Sequence, residues 1–289
     1  MAIRLSRAGA RRPRCFSLAQ NTGVSMKVLD GDGVPLGRII EHLRGDAASN
    51  LFAIYDLIKE RENTMISLAI EEDEILGYLL RYSGLSYPTA IIRGLRPAVT
   101  RLLDEVRGQK VVLFLDSEVR DMAEAKLNPT SVIPEDLMIV GPNEAKLPAQ
   151  SLARRLGPDD ATGILALYSD YRPTKEKPER YARWAERHVV YGVFQDDVLV
   201  SVAGTWAEAD DGWIVGGVYT SPAHRGMGFA SMATSAVTEQ ALRKARQSTL
   251  FVVSSNKPAI HTYEKLGYRK AGQRLWVDLG TGVKPLTTE

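Results

Sequence analysis

Residues 218–230 read Val218-Tyr219-Thr220-Ser221-Pro222-Ala223-His224-Arg225-Gly226-Met227-Gly228-Phe229-Ala230. An apolar strand here runs into a basic, glycine-containing turn, after which Phe229, Met232, Ala233, Ala236 and Val237 fall on one face of a helix. The first N–H groups of a helix lack intrahelical partners and sit at the positive end of the aligned peptide dipoles, so an anion placed there satisfies both. Gly226 and Gly228 let the backbone curl close to phosphate oxygens, and Arg225 can add charge-assisted hydrogen bonds. The stretch predicts a pyrophosphate site, although a glycine turn in isolation can also serve only to end a strand. Two other glycine-dependent sites fail on inspection. Ser231 stands where a dinucleotide-binding fingerprint needs its third glycine, and the Gly-Lys-Ser/Thr of a Walker A loop does not occur in the chain.

Downstream lies Asn256-Lys257-Pro258-Ala259-Ile260-His261-Thr262-Tyr263-Glu264-Lys265-Leu266-Gly267-Tyr268. The two stretches together resemble the GNAT family of acyl-CoA-dependent N-acyltransferases: residues 225–230 match its Q/R-x-x-G-x-G/A loop, and residues 256–268 its N-x-x-A-x-x-x-Y-x-x-x-G-F/Y signature. They come in the family's order, separated by one helix and the apolar strand Thr249 to Val253, and the resemblance is strong only from about residue 152 to 280. It implies an α/β fold with a mixed sheet and acetyl-CoA or another acyl-CoA as co-substrate. In that likeness the strand Val218, Tyr219 and Thr220 splays from its neighbour, and the free backbone groups of Val218 and Thr220 pair with the pantetheine arm. Arg225 and the backbone of Gly226, Met227, Gly228, Phe229, Ala230 and Ser231 hold the pyrophosphate, Asn256 lies on the pantetheine side, and Tyr263 meets the thiol.

Tyr263 makes chemical sense there. Attack of an amine on a thioester expels a thiolate, and a phenol with an ordinary pKa of about 10 can protonate it at little cost. The alternative is a buried tyrosine packing with Leu266 against the sheet. A general base is not obvious: Glu208, Asp210 and Asp211 fall in a turn expected near the cleft, and a water relay is the other route. The motif region has no cysteine and no Ser-His pair at a nucleophile elbow, so attack is expected to be direct.

Comparing the two parts of the chain shows an internal repeat. Met65 to Ile70, the turn Glu71 to Glu74 and Ile75 to Tyr82 match Val189 to Phe194, the turn Gln195 to Asp197 and Val198 to Trp206. Lys126-Leu127-Asn128 and Asp136 to Gly141 mirror Lys265-Leu266-Gly267 and Leu275 to Gly280 at an offset of 139. The first copy lacks the chemistry. Its third strand, Ala90 to Arg93, leads into Gly94-Leu95-Arg96-Pro97-Ala98 without a second glycine, and Glu124 stands at the offset position of Tyr263. The expected layout is a basic leader at 1–25, a degenerate GNAT-like domain at 26–141 with a structural or substrate-shaping role, a linker at 142–150, and an acyltransferase domain at 151–289. Tandem acyltransferases of the glycine N-acyltransferase type are similar. Asn50 to Leu57 is expected to be a helix of the first copy, and Gly31 to Gly37 a turn.

The remaining features bound the function. A chain of 289 residues with 44% hydrophobic content suits two globular domains, and no apolar run approaches the roughly 20 residues that cross a bilayer. The one cysteine, Cys15, fits a reducing compartment, and a cytoplasmic location is expected. The four histidines, at 42, 188, 224 and 261, never come at ligand spacing, so no metal is expected. Net charge is +2, of which the leader carries +5 through Arg4, Arg7, Arg11, Arg12 and Arg14, leaving 2 − 5 = −3 for residues 26–289. That balance argues against a nucleic-acid binder. The leader has the arginine-rich, acid-free character of a transit peptide, and an upstream start or a disordered tail explains it as well. The expected function is transfer of an acyl group to a primary amine of a small molecule or peptide, with a homodimer compatible. The rival is a non-catalytic acyl-CoA sensor. Acceptor-side residues are sought between Ile164 and His188, at Tyr168, Tyr171, Arg172, Tyr181, Arg183 and Trp184.

Overall fold

A computed structural model describes residues 26–148, 151–169 and 176–285. The basic leader, Tyr171 and Arg172 lie outside the described residues. The first half runs β1 (Lys27–Asp30), α1 (Leu36–Arg44), α2 (Ala47–Lys59), β2 (Thr64–Glu71), β3 (Glu74–Tyr82), β4 (Thr89–Gly94), α3 (Arg96–Asp104), β5 (Val112–Asp116), α4 (Arg120–Leu127) and β6 (Ser131–Val140). The second repeats that succession as β7 (Arg154–Arg155), α5 (Ala161–Ser169), α6 (Pro178–Arg187), β8 (Val190–Gln195), β9 (Val198–Ala209), β10 (Gly212–Thr220), α7 (Phe229–Lys244), β11 (Ser248–Val253), α8 (Lys257–Lys265) and β12 (Arg269–Asp278). Local chemistry fixes the corresponding corners. Each hairpin turns on two acidic residues in the left-handed region, Glu72 (φ 47°) and Asp73 (φ 68°) in one, Asp196 (φ 48°) and Asp197 (φ 61°) in the other. Such paired positive φ values match the twist of the flanking strands, and short polar side chains tolerate them.

The twelve strands of the described residues form one sheet, ordered β1-β2-β3-β4-β5-β12-β6-β11-β10-β9-β8-β7. The last strand of each half has crossed to the other: β12 pairs antiparallel with β5, and β6 pairs antiparallel with β11. The sequence division at residues 142–150 is therefore not a division of the sheet. The two outer strands are only 4 and 2 residues long, which limits the unpaired edge offered to other chains.

At the centre, β6 and β12 bring Glu135 opposite Arg274. These residues are 274 − 135 = 139 positions apart, the offset read in the sequence, so an approximate two-fold axis passes through the pair. Arg274 Nε donates to Glu135 Oε2 at 2.8 Å, and its guanidinium lies 3.4 Å from the ring centre of Phe251 and 4.2 Å from that of Phe114. Burial pushes the arginine pKa down and the glutamate opposes it. The pair and its aromatic walls keep the charge tolerable in the sheet centre.

Three layers position the site. Helix α7 packs Ala233 and Val237 on Val200, Ala203, Val215 and Leu250. On the opposite face of the second-half strands, α5 and α6 pack Ile164, Tyr168 and Trp184 with Val202 and Tyr219. Helix α2 of the first half lies on that same opposite face, with Leu51 against Ala207 and Ile214.

The signature glycine Gly267 ends α8. It has φ +95°, and the N–H groups of Gly267 and Tyr268 return to the carbonyls of Glu264 and Tyr263. A Cβ at Gly267 would lie 2.2 Å from the Glu144 carbonyl oxygen, so the connecting segment leaves no room for one. Gly267→Ala is expected to lower stability by about 2 kcal/mol or more, from the disfavoured φ plus the backbone clash. Urea unfolding measures it, and an unchanged midpoint would contradict the packing.

Candidate functional site

Strand β10 is paired with β11 only from Trp213 to Val215. Beyond that point the two diverge, and the register of β10 on β9 also shifts between Gly216 and Tyr219. Gly217, at φ +61°, is the centre of this bulge, and its carbonyl accepts the Tyr168 hydroxyl. Backbone from Gly216 to Thr220 is thus turned out of the ladder on the β11 side, beside a cleft of 1300 Å³. The strand end is held by Ser201, whose hydroxyl lies 2.8 Å from that of Thr220.

The turn that follows is short and tightly pinned. Ser221 N–H donates to Val200, Pro222–His224 make one 3₁₀ turn, and Arg225 Nε reaches the Thr220 carbonyl at 3.4 Å. Gly226 (φ +79°) and Gly228 (φ +83°) then set the entry into α7. A Cβ at either would meet no atom within 4 Å, so what selects glycine is the left-handed backbone, and the space above it is open. Gly228 is the N-cap of the 16-residue helix α7, and no side chain caps it. Uncapped N–H groups, a helix dipole and open space above the turn fit a phosphate-sized anion.

Of the residues singled out in the sequence, Val218, Tyr219, Thr220, Arg225, Gly226, Gly228, Phe229, Ala230, Ser231, Asn256 and Tyr263 line the cleft. Met227 does not, and is 58% exposed. The Tyr219 ring stacks on Tyr168 in the core, so this residue reaches the cleft mainly as part of the strand. Asn256 Oδ1 is used to cap α8, accepting from Ala259 N–H at 3.2 Å. Tyr263 is buried at the α8 wall with its ring 6.1 Å from that of Tyr268. Burial pushes its phenol above the ordinary tyrosine value, so handing a full proton to sulfur costs more than an exposed phenol would require.

Glu208, Asp210 and Asp211 do not line the cleft themselves, although Glu208 Oε1 comes within 3.9 Å of Nδ1 of His188, which does. Glu208 Oε1 accepts the Val189 N–H at 2.8 Å and the Thr205 hydroxyl, while Asp211 is held by Arg44 Nε at 3.0 Å. Strand β9 runs on to Ala209, which puts the β9–β10 turn at the start of β10, while the splay and the glycine loop lie toward its other end.

The carboxylates that do line the cleft are Asp56, Glu60, Glu135 and Glu176. Asp56 comes from α2 of the first half, together with Phe52 and Tyr55, and Glu60 from the residue that caps its C-terminus. Trp206 lies over Gly216, its indole occupying the place of a Cβ there, and stacks on Trp184 at 5.4 Å. His188 also lines the cleft; burial pushes its imidazole pKa down, and Nδ1 makes no hydrogen bond. One signal for the α2 residues was available in the sequence: an Asp and a Glu four residues apart on an otherwise apolar helix stripe.

A splayed parallel strand followed by a glycine turn and a long helix, on a mixed sheet, defines the GNAT fold. Residues 190–277 match the family model described as FR47-like protein. The chain resembles a solved Drosophila protein with TM-score 0.63 at 13% identity, covering 90% of this chain and 100% of that one. It also resembles a GCN5-related N-acetyltransferase from Kribbella flavida, with TM-score 0.57, 18% identity, and 82% and 97% of the two chains covered. A tandem GNAT protein from the clavulanic acid biosynthesis pathway aligns with TM-score 0.54 and 14% identity over 90% of this chain and all of that one. No curated protein sequence matches the chain. Among the described residues no helix is long and apolar enough to cross a membrane, and no cluster of side chains could hold a metal ion.

Proposed function

We propose that the second half binds an acyl-CoA, acetyl-CoA foremost, and transfers its acyl group directly to a primary amine that enters the cleft from between the halves. The observation that carries this is the backbone of Gly216 to Thr220, freed from β11 and continuous with the open glycine turn at the start of α7. Extended chemistry can pair with that backbone as an added strand, and a pyrophosphate fits the turn.

In this reading Val218 N–H faces the thioester carbonyl and stabilises the negative charge that develops on its oxygen. The amine nitrogen forms its bond to the carbonyl carbon as the carbon–sulfur bond breaks, and Tyr263 donates its hydroxyl proton toward the departing sulfur. The proton lost by the amine leaves through water in the open cleft. Holding the two reactants together supplies much of the acceleration. The first half has no equivalent turn: Gly94 leads through Leu95 into the nine-residue α3 with proline in its first turn, so its role is to build the acceptor wall through α2.

The test is the melting temperature of the protein with acetyl-CoA, free CoA, ATP and NAD. A rise specific to CoA species follows from linkage, and its absence would refute the reading. The paired variants Gly228→Asp and Gly228→Asn isolate the pyrophosphate contact. Both side chains tolerate a left-handed backbone, but only aspartate brings a negative charge to the anion site. Aspartate is expected to weaken acetyl-CoA by on the order of 100-fold, about 2.7 kcal/mol, relative to asparagine, with the free protein equally stable. Calorimetric titration of both variants checks it, and equal affinities would move the phosphates elsewhere.

A further inference from the structure

Among the described residues, three of the four carboxylates on the cleft wall already have an arginine: Glu60 has Arg187, Glu135 has Arg274 and Glu176 has Arg180. Asp56 has none. It is 7% exposed, and no side chain among the described residues donates a hydrogen bond or an ion pair to it. Glu60, the C-cap of α2 four residues on, shows a satisfied carboxylate in the same wall. Its Oε1 takes Arg187, and its Oε2 accepts from Asn63 Nδ2 at 3.2 Å and from the Tyr82 hydroxyl at 3.5 Å. A buried acid left without a donor is costly when ionised, and burial reinforced by the Glu60 charge pushes the Asp56 pKa up to about 8. The titratable groups coupled to it are Tyr55 on α2, Glu60 just past the end of α2, and Tyr78 and Tyr82 on β3. None of these is a cation, and the nearby Arg187 is held by Glu60. What would complete the wall is a positive charge arriving from the cleft, with Tyr55 and Tyr82 offering aromatic surface beside it.

Resting on the acyl-transfer reading, we infer that the acceptor carries a second positive group, an ammonium or guanidinium separate from the amine that is acylated, and that Asp56 is its counter-charge. The acceptor then spans the cleft, anchored on the first half and reacting on the second. This gives the first half a binding task even though it lacks the phosphate turn.

The probes are 1,5-diaminopentane and pentylamine, which differ only in the second ammonium, titrated calorimetrically into the full chain with and without free CoA. The diamine is expected to bind at least about tenfold more tightly, and Asp56→Asn to remove that preference. Equal affinities in the wild type, or a preference kept in the variant, would overturn the inference. The acetyl-CoA melting shift is scored apart: a diamine preference without that shift retains the anchor and refutes acyl transfer, and the shift without the preference does the reverse.

A second measurement needs no ligand. An acid whose folded pKa is raised holds its proton in the native state between its ordinary value near 4 and about 8, so it subtracts stability as pH climbs through that window. Asp56→Asn is therefore expected to melt higher than wild type at pH 9 and to converge with it near pH 4. A difference that does not vary with pH would mean that Asp56 is already matched by a cation, and would also overturn the inference.

Discussion

Replacing Tyr263 with phenylalanine is expected to leave acetyl-CoA affinity unchanged and to slow turnover by about 10² to 10⁴, the range for loss of a general acid. The substitution removes one oxygen from a ring that is otherwise buried beside Leu266 and Tyr268. That hydroxyl makes no hydrogen bond to a described residue, so folding stability should barely change, and a fall in rate cannot be attributed to unfolding. Because burial raises the phenol pKa, the donor keeps its proton to higher pH than an exposed tyrosine would. The wild-type rate should then show no alkaline decline from this group below about pH 10. Single-turnover kinetics with free-thiol detection across pH checks both statements. Full activity in the phenylalanine variant would transfer the proton to water.

Removing Glu135 is expected to be the costliest single change away from the cofactor strand. Glu135→Ala leaves Arg274 in the sheet centre with aromatic rings on its faces and no counter-charge, and loss of one partner from such a pair costs about 3–5 kcal/mol. The double replacement Glu135→Leu with Arg274→Met should recover most of that loss, since a well-packed apolar pair can substitute for a buried ion pair. Urea unfolding of the two proteins decides it. A double variant no more stable than the single one would show that the charges do more than cancel each other.

Local signals in the sequence reached most of the elements. The hairpin at Val189 to Trp206, the glycine turn at Arg225 to Ala230 and the helix carrying Tyr263 are each specified by local stretches of chain, through alternation, left-handed turn residues and helical spacing. The exchange of β6 and β12 was not legible, because it depends on register between segments more than a hundred residues apart, and apolar strands such as Leu137 to Val140 fit several neighbours equally well. Glu208, Asp210 and Asp211 were expected at the cleft because the turn was placed after Trp206. Three more residues of β9 carry it past the site. Asp56 stands out in the sequence only as an acid on an apolar helix stripe; its meaning comes from the arginine it lacks, and a missing partner leaves no pattern in a sequence.

The pair on the approximate axis also governs what the chain can join. Two halves that meet across β6 and β12 must offer unlike charges at corresponding positions, Glu135 from one and Arg274 from the other. A second-half unit meeting another of its own kind would press two guanidinium groups together, and two first-half units would press two carboxylates together. Like charges at the centre of a sheet oppose such self-pairing. The same side chains that bind the halves thus reject like-with-like pairing of halves, so the junction discriminates against that class of mispaired assembly while the chain is folding.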